Sequence, residues 1–352
     1  MRIFLITRSI NPPWNEGVKN LVRGIIEEVK EHQFIVPTKK GFSFGKDNVK
    51  EIFISFGKES YEVPLREKLR LWKYLLKEKV DLYHVILTPK LYLPYLIQPL
   101  ANKRGVKIIQ TVTNFIENRG KKIYFGDKIV VLSKHTQQRL QEMHIDSEVI
   151  YPGVEIKRAI ESRKSQKDFP WTGRSTILYP GDLNQEIINR LLYIIFHLPP
   201  WINFLIAIRE KTRRERKWKV FLEKITKEKN LKNLFFIGEV EDMIAVISSV
   251  DVVIFPVPKI TKKLEIPLVL LESLALGKPL ILSASPPLKE ILIEEAGFVV
   301  EEENDFPVKI KLLLGRKELI SRFSQNAKKL VAKYFNLSTM AKNYCRVYNS
   351  MR

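Results

Sequence analysis

Residues 262–283 read KKLEIPLVLLESLALGKPLILS, and their reading decides the fold. Pro267 suits the first turn of a helix, because its missing N–H would be unpaired there in any case. Gly277, followed by Lys278 and Pro279, closes the same helix, which is predicted to span roughly 267 to 276. The run DVVIFP (251–256) ahead of it and KPLILS (278–283) behind it read as short buried strands. Glu272 stands alone inside this apolar stretch. A buried carboxylate without a partner costs several kcal/mol or takes up a proton, so the helix must have a use for Glu272.

Outward from that unit the same alternation repeats. Towards the N-terminus it continues through STILYPG, a helix over 184–197, NFLIAI, a basic helix ending near 229, NLFFIG and EDMIAVISSV; beyond it come LKEILIEE and GFVV. The first half shows an equivalent series: IFLIT, a helix from about 18 to 30, QFIVP, EIFISF, a helix over 65–79, DLYHVIL, VKIIQTVT and DKIVVLS. Short apolar strands separated by amphipathic helices predict parallel sheets with both faces covered. Between the two series, KRAIESRKSQKDFPWTGR (157–174) is charged and aperiodic, and reads as a linker. The expectation is two Rossmann-like parallel-sheet domains, 1–157 and 172–337, facing each other across a cleft. The final helix, 338–352, is expected to return to the first domain and pack Met340, Tyr344, Val347 and Tyr348 there. Ligands of such sheets lie beyond the carboxyl ends of the strands.

Composition narrows the function. Hydrophobic residues make up 45% of the 352, and the net charge is +21, which favours an anionic partner or else a merely solvated basic surface. Cys345 is the only cysteine, so no intrachain disulfide is possible and a reducing compartment fits. MRIFLITR is too short for a signal peptide, and LYHVILTPKLYLPYLIQPL carries Lys90 and three prolines, so it reads as strand, loop and helix rather than a span. A cytoplasmic protein is expected, with peripheral contact at the inner face of the cell membrane left open. GxGxxG after the first strand, GxxxxGK[ST] and GxSxG are absent, and the five histidines are scattered, so no metal site is expected.

The segments YPGVEI, DVVIFP, GFVVE and above all LVLLESLALGKPLI resemble the retaining glycosyltransferases of family 4, which have the GT-B fold. The resemblance implies transfer of a sugar from a nucleotide-sugar donor to an acceptor hydroxyl with retention of anomeric configuration. It implies no metal and no cofactor beyond the co-substrate. The donor site would comprise the helix start at Pro267, Leu268 and Val269, Glu272 on the ribose hydroxyls, and Gly181 in the YPG loop. In the first domain, Asn15, Glu16 and Gly17 would form an acceptor or phosphate loop together with Thr113 and Asn114; the plainer alternative is a strand-to-helix turn with Asn15 as cap.

Three positions depart from that family pattern. The usual E-x7-E is broken: Leu264 stands where the first glutamate belongs, and Glu265 is a shifted candidate for the catalytic acid. YPGDLNQE lacks the usual Arg and Lys, and TVTN replaces the T-x-H histidine. Arg209 and Lys263 are the candidate catalytic cations to take their place near the departing phosphate. Expected partners are a nucleotide-sugar, a sugar or lipid-linked acceptor, and an anionic membrane through the basic 65–79 helix; nucleic acid is not among them. The rival readings are a non-catalytic GT-B protein that binds nucleic acid or acidic membrane through its basic surface, and a GT-B epimerase, for which no acid/base pair can be placed.

Overall fold

The computed structural model describes residues 1–54, 64–117, 120–156, 169–208, 213–240, 242–260 and 264–352. Two units emerge, each with its own sheet. The first gathers Met1–Gly153, Thr261–Pro267 and Leu337–Arg352; the second gathers Val154–Ile260 and Leu268–Asn336.

Among the described residues the first unit holds seven strands: β1 (Arg2–Ile6), β2 (Gln33–Thr38), β3 (Val49–Phe53), β4 (Leu82–Leu87), β5 (Lys107–Val112), β6 (Lys128–Val131) and β7 (Glu148–Val149), in the order β3-β2-β1-β4-β5-β6-β7. Among the described residues the second holds six: β8 (Thr176–Tyr179), β9 (Asn203–Ala207), β10 (Leu234–Ile237), β11 (Val252–Phe255), β12 (Leu280–Ser283) and β13 (Gly297–Val300), in the order β10-β9-β8-β11-β12-β13. Every pairing is parallel; Leu5 stands beside His84, and His84 beside Ile109. Strands covered on both faces must be apolar throughout, and β1, β4 and β11 are buried along nearly their whole length. The order reverses between β1 and β4 in one sheet and between β8 and β11 in the other. These reversals are where open parallel sheets bind ligands.

The last helix, Leu337–Asn349, belongs to the first unit and buries Met340, Ala341, Tyr344, Val347 and Tyr348. Its seat is a polar cluster inside the core. His84 shares a 2.9 Å hydrogen bond with the Tyr348 hydroxyl through Nδ1 and a 2.8 Å one with Thr111 through Nε2, and Tyr344 lies 3.2 Å from the same threonine hydroxyl. Burial holds the imidazole's pKa down at about 3, so it is neutral under ordinary conditions.

The 65–79 stretch forms a helix over Leu65–Lys77, but its leucines do not share a buried side. Leu75 and Glu67 are buried, whereas Leu65, Leu69 and Leu76 are 72%, 62% and 54% exposed. The helix packs on the sheet through Leu71, Trp72, Tyr74 and Leu75, which leaves the other leucines on the outer arc.

Candidate functional site

In the second unit, β8 and β11 pair side by side, with Val253 opposite Leu178. The loops at their carboxyl ends carry the candidate donor residues. After β11 the chain leads through Pro267 into the helix Leu268–Ala275. Leu268, Leu270, Leu271, Ser273, Leu274 and Ala275 are buried, while Val269 and Glu272 are half-buried. Three residues apart, these two lie on one face. Glu272 is therefore not the sealed-in carboxylate that its apolar neighbours suggest; it shares the helix's accessible stripe with Val269.

The helix ends as its glycine predicts. Gly277 has φ +72°, its N–H donates to Leu274 O at 2.9 Å, and Lys278 N–H donates to Ser273 O at 2.9 Å. These are the paired bonds of a Schellman cap. A methyl group at Gly277 would also lie 2.4 Å from Ser324 Oγ. Gly277→Ala is expected to lower unfolding free energy by about 1–3 kcal/mol, combining the left-handed penalty with the crowding; urea titration of the variant checks it.

After β8, Gly181 lies in a loop closed by Tyr179, whose hydroxyl donates to Asp182 O at 2.7 Å. A side chain at Gly181 would begin 2.3 Å from that hydroxyl, so the glycine lets the loop fold over its own tyrosine. Burial, with the nearby Asp182 carboxylate, raises the Tyr179 phenol well above its ordinary range. Asn184 then caps the helix Gln185–Phe196, accepting from Ile187 N–H at 2.9 Å.

In the first unit, the loop between β1 and the helix Gly17–Glu28 is tied down from both ends. Arg8 pairs with Glu16 at 2.9 Å, Ile10 N–H donates to Pro37 O at 2.8 Å, and Arg23 lies over the Trp14 ring at 4.5 Å. Glu16, not Asn15, occupies the N-cap position, and its side chain makes no capping bond. Gly17 permits a close approach, but the group that approaches is Leu264: its Cδ2 lies 3.2 Å from where a Cβ would stand. Thr113 and Asn114, just beyond β5, are buried, and the Thr113 hydroxyl lies 3.4 Å from that of Thr88.

The carboxyl group of Glu265, unlike that of Glu272, is buried: the residue is 1% exposed. Its backbone N–H donates to Thr113 O at 3.0 Å. Its Oε1 accepts from Leu132 N–H at 3.2 Å, and its Oε2 accepts from the Thr136 hydroxyl. These donors frame the start of the helix Lys134–Glu142, which Ser133 caps through Thr136 N–H. A negative group is favoured at such a helix end. Glu265 thus fastens residues 264–267 to β5 and to the turn after β6, and its burial and position give it a task of support. It also contributes to Tyr124, whose phenol is pushed up to about 12 chiefly by burial.

The structure therefore brings Gly17, Leu264, Glu265 and Thr113 together in the first unit, where Pro267 ends the 264–267 segment, and Gly181, Leu268, Val269 and Glu272 to adjacent strand ends and their helix in the second. Arg209 and Lys263 lie outside the described residues. Sequence reasoning missed two hydroxyls. Thr7 Oγ1, just past the end of β1, and Ser283 Oγ, at the end of β12, are buried with no hydrogen-bond partner among the described residues. Their only sequence signal is a hydroxyl closing an apolar strand.

The architecture is the GT-B fold, with its two Rossmann-like α/β domains. Residues 203–330 match the family model of the glycosyl transferases group 1. Among solved structures, the chain is similar to a sucrose-phosphate synthase from Thermosynechococcus elongatus at 18% identity and TM-score 0.78, covering 100% of this chain and 99% of that one. Anabaena Alr3699/HepE, solved with UDP-glucose, is similar at 14% identity and TM-score 0.76, covering 99% and 100%. WaaG, a glycosyltransferase involved in lipopolysaccharide biosynthesis, is similar at 13% identity and TM-score 0.70, covering 99% of each chain. Comparison with curated proteins returns no match.

Proposed function

We propose that this protein is a glycosyltransferase that moves a sugar from a nucleotide-sugar to an acceptor hydroxyl with retention of configuration. The observation that carries the reading is the helix Leu268–Ala275, placed at the reversal of the second sheet with Glu272 and Val269 on its accessible stripe. A helix amino end favours anions, so the diphosphate of a nucleotide-sugar fits there. The carboxylate of Glu272 can accept hydrogen bonds from two neighbouring ribose hydroxyls. The group 1 match covers this helix, and Alr3699/HepE, of like fold, was solved with UDP-glucose.

In this reading the departing phosphate itself assists the incoming hydroxyl from the same face, without a protein nucleophile or a metal. Arg209 and Lys263 are the proposed cations for the phosphate charge. Glu265 acts from behind, as the residue that positions the 264–267 segment.

The test is donor binding. Nucleoside diphosphates and their sugars should raise the melting temperature of the parent protein. Glu272→Gln keeps the shape but loses charge and one acceptor, so donor affinity should fall by about 1–3 kcal/mol with folding intact. A variant that unfolds while the remaining folded fraction binds donor as the parent does would make Glu272 structural and remove the donor site from this helix.

A further inference from the structure

We propose that Glu31, His32 and Cys345 form a binding site for a divalent cation of the zinc class in the first unit. Among the described residues this is the one place where three side chains of metal-ligating type converge, one ligand atom of each lying within 4.8 Å of the others. Glu31 and His32 stand in the bend that leads into β2, and Cys345 lies one turn before the end of the helix Leu337–Asn349. His32 and Cys345 are 313 positions apart, so scattered histidines and a single cysteine in the sequence conceal the group.

The spacing suits one ion. The Cys345 thiol donates to Glu31 Oε2 at 3.1 Å, and its sulfur lies 3.7 Å from His32 Nε2. A sulfur and a nitrogen bound to the same tetrahedral zinc ion stand about 3.6 Å apart, given bonds of about 2.3 and 2.0–2.1 Å. The thiol proton now holds sulfur and carboxylate together. A cation takes its place: that proton leaves to solvent, and thiolate, carboxylate and imidazole each direct a lone pair at the metal.

The surroundings hold the imidazole in position. His32 is buried, its ring meets that of Tyr348 edge-on at 5.4 Å, and its backbone carbonyl accepts from Asn48 Nδ2 at 3.0 Å. Tyr348 follows Cys345 by three residues and so shares its side of the helix. One helix face therefore supplies both the thiol and the ring that steadies the histidine. Burial above all, then the Met1 amine beside Nδ1 and Arg352, lowers the His32 pKa, which keeps the ring in its neutral, ligating form. The negative end of the helix dipole lies close by and favours a cation.

The ligand set chooses the metal. A thiolate with an imidazole selects zinc and its softer neighbours over magnesium and calcium, which take oxygen ligands. Three protein ligands leave a fourth position for water. All strands of this sheet are parallel, and the entry to β2 lies at their amino edge, opposite the edge where ligands of such sheets bind. The ion's task is thus to clamp the last helix to the sheet.

Metal titration of the untagged, chelator-stripped chain tests the proposal. One equivalent of Co2+ should bind with the sulfur-to-cobalt charge-transfer absorption of a thiolate ligand, and Zn2+ should displace it. Zn2+ should also raise the melting temperature and slow the reaction of Cys345 with a thiol reagent, whereas Mg2+ should do neither. Cys345→Ala should abolish the charge-transfer band. Glu31→Gln, a change at an exposed position, should weaken zinc binding at least about tenfold. Circular dichroism and nucleoside-diphosphate binding should stay at parent values in both variants, which separates this site from the donor helix. Failure to bind one equivalent, a cobalt spectrum without the sulfur band, or parent-like zinc affinity in either variant would each overturn it.

Discussion

Glu265→Ala should lower the unfolding free energy by about 2–5 kcal/mol, because it strands two buried donors, Leu132 N–H and the Thr136 hydroxyl, without an acceptor. Neither donor can turn to water, since Thr136 and Leu132 are fully buried. Glu265→Gln retains one carbonyl oxygen and should cost less than alanine, although its amide group faces a donor where an acceptor is needed. Urea unfolding of the parent and both variants measures the series. If the role is support, any activity found on the transferase reading should decline with the folded fraction. An alanine variant as stable as the parent yet inactive would return Glu265 to the chemistry itself.

A second large effect follows from His84. Its pKa is about 3 in the folded chain, against an ordinary 6.5 that the unfolded chain regains. Between those values the unfolded state holds the additional proton, so stability rises with pH across the window and is level above it. Acidification from pH 6.5 towards 3 should therefore remove up to about 4 kcal/mol through this one residue. Comparing unfolding free energies at pH 7, 5.5 and 4 for the parent and for His84→Gln isolates the contribution. The glutamine variant starts from lower stability, because Thr111 and Tyr348 lose their ring partner, but its dependence on pH should be shallower. Parallel curves for the two proteins would show that His84 does not carry the acid sensitivity.

Those two residues also mark the boundary of what the sequence discloses. The strand and helix alternation is legible because burial on both faces demands continuous apolar runs, and β4, β11 and β12 show them plainly. The end of the helix at Gly277 is equally legible, since a cap is written in adjacent residues. The task of Glu265 is not, because its carboxyl partner Leu132 is 133 positions away in the chain. The outward leucines at 65, 69 and 76 escape for another reason. An amphipathic pattern assumes that apolar residues face the core, and this helix carries more of them than its contact with the sheet can cover. The exposure of Glu272 is hidden for the same reason: its neighbours in sequence are buried leucines, whereas the residue that shares its accessible face is Val269, one turn back.

The composition of the first unit has a consequence for anyone cutting the gene. That unit takes its support from residues 261–267 and its last helix from residues 337–352, so the chain leaves it and returns twice. A fragment ending at Gly153 would contain every strand of the sheet, yet it would have lost the acceptor for Leu132 N–H and Thr136, and the two tyrosines that flank His84 and Thr111. The seven strands are contiguous; the domain is not. A chain without residues 264–267 and 337–352 carries the strands of this sheet but lacks the groups that complete the interior.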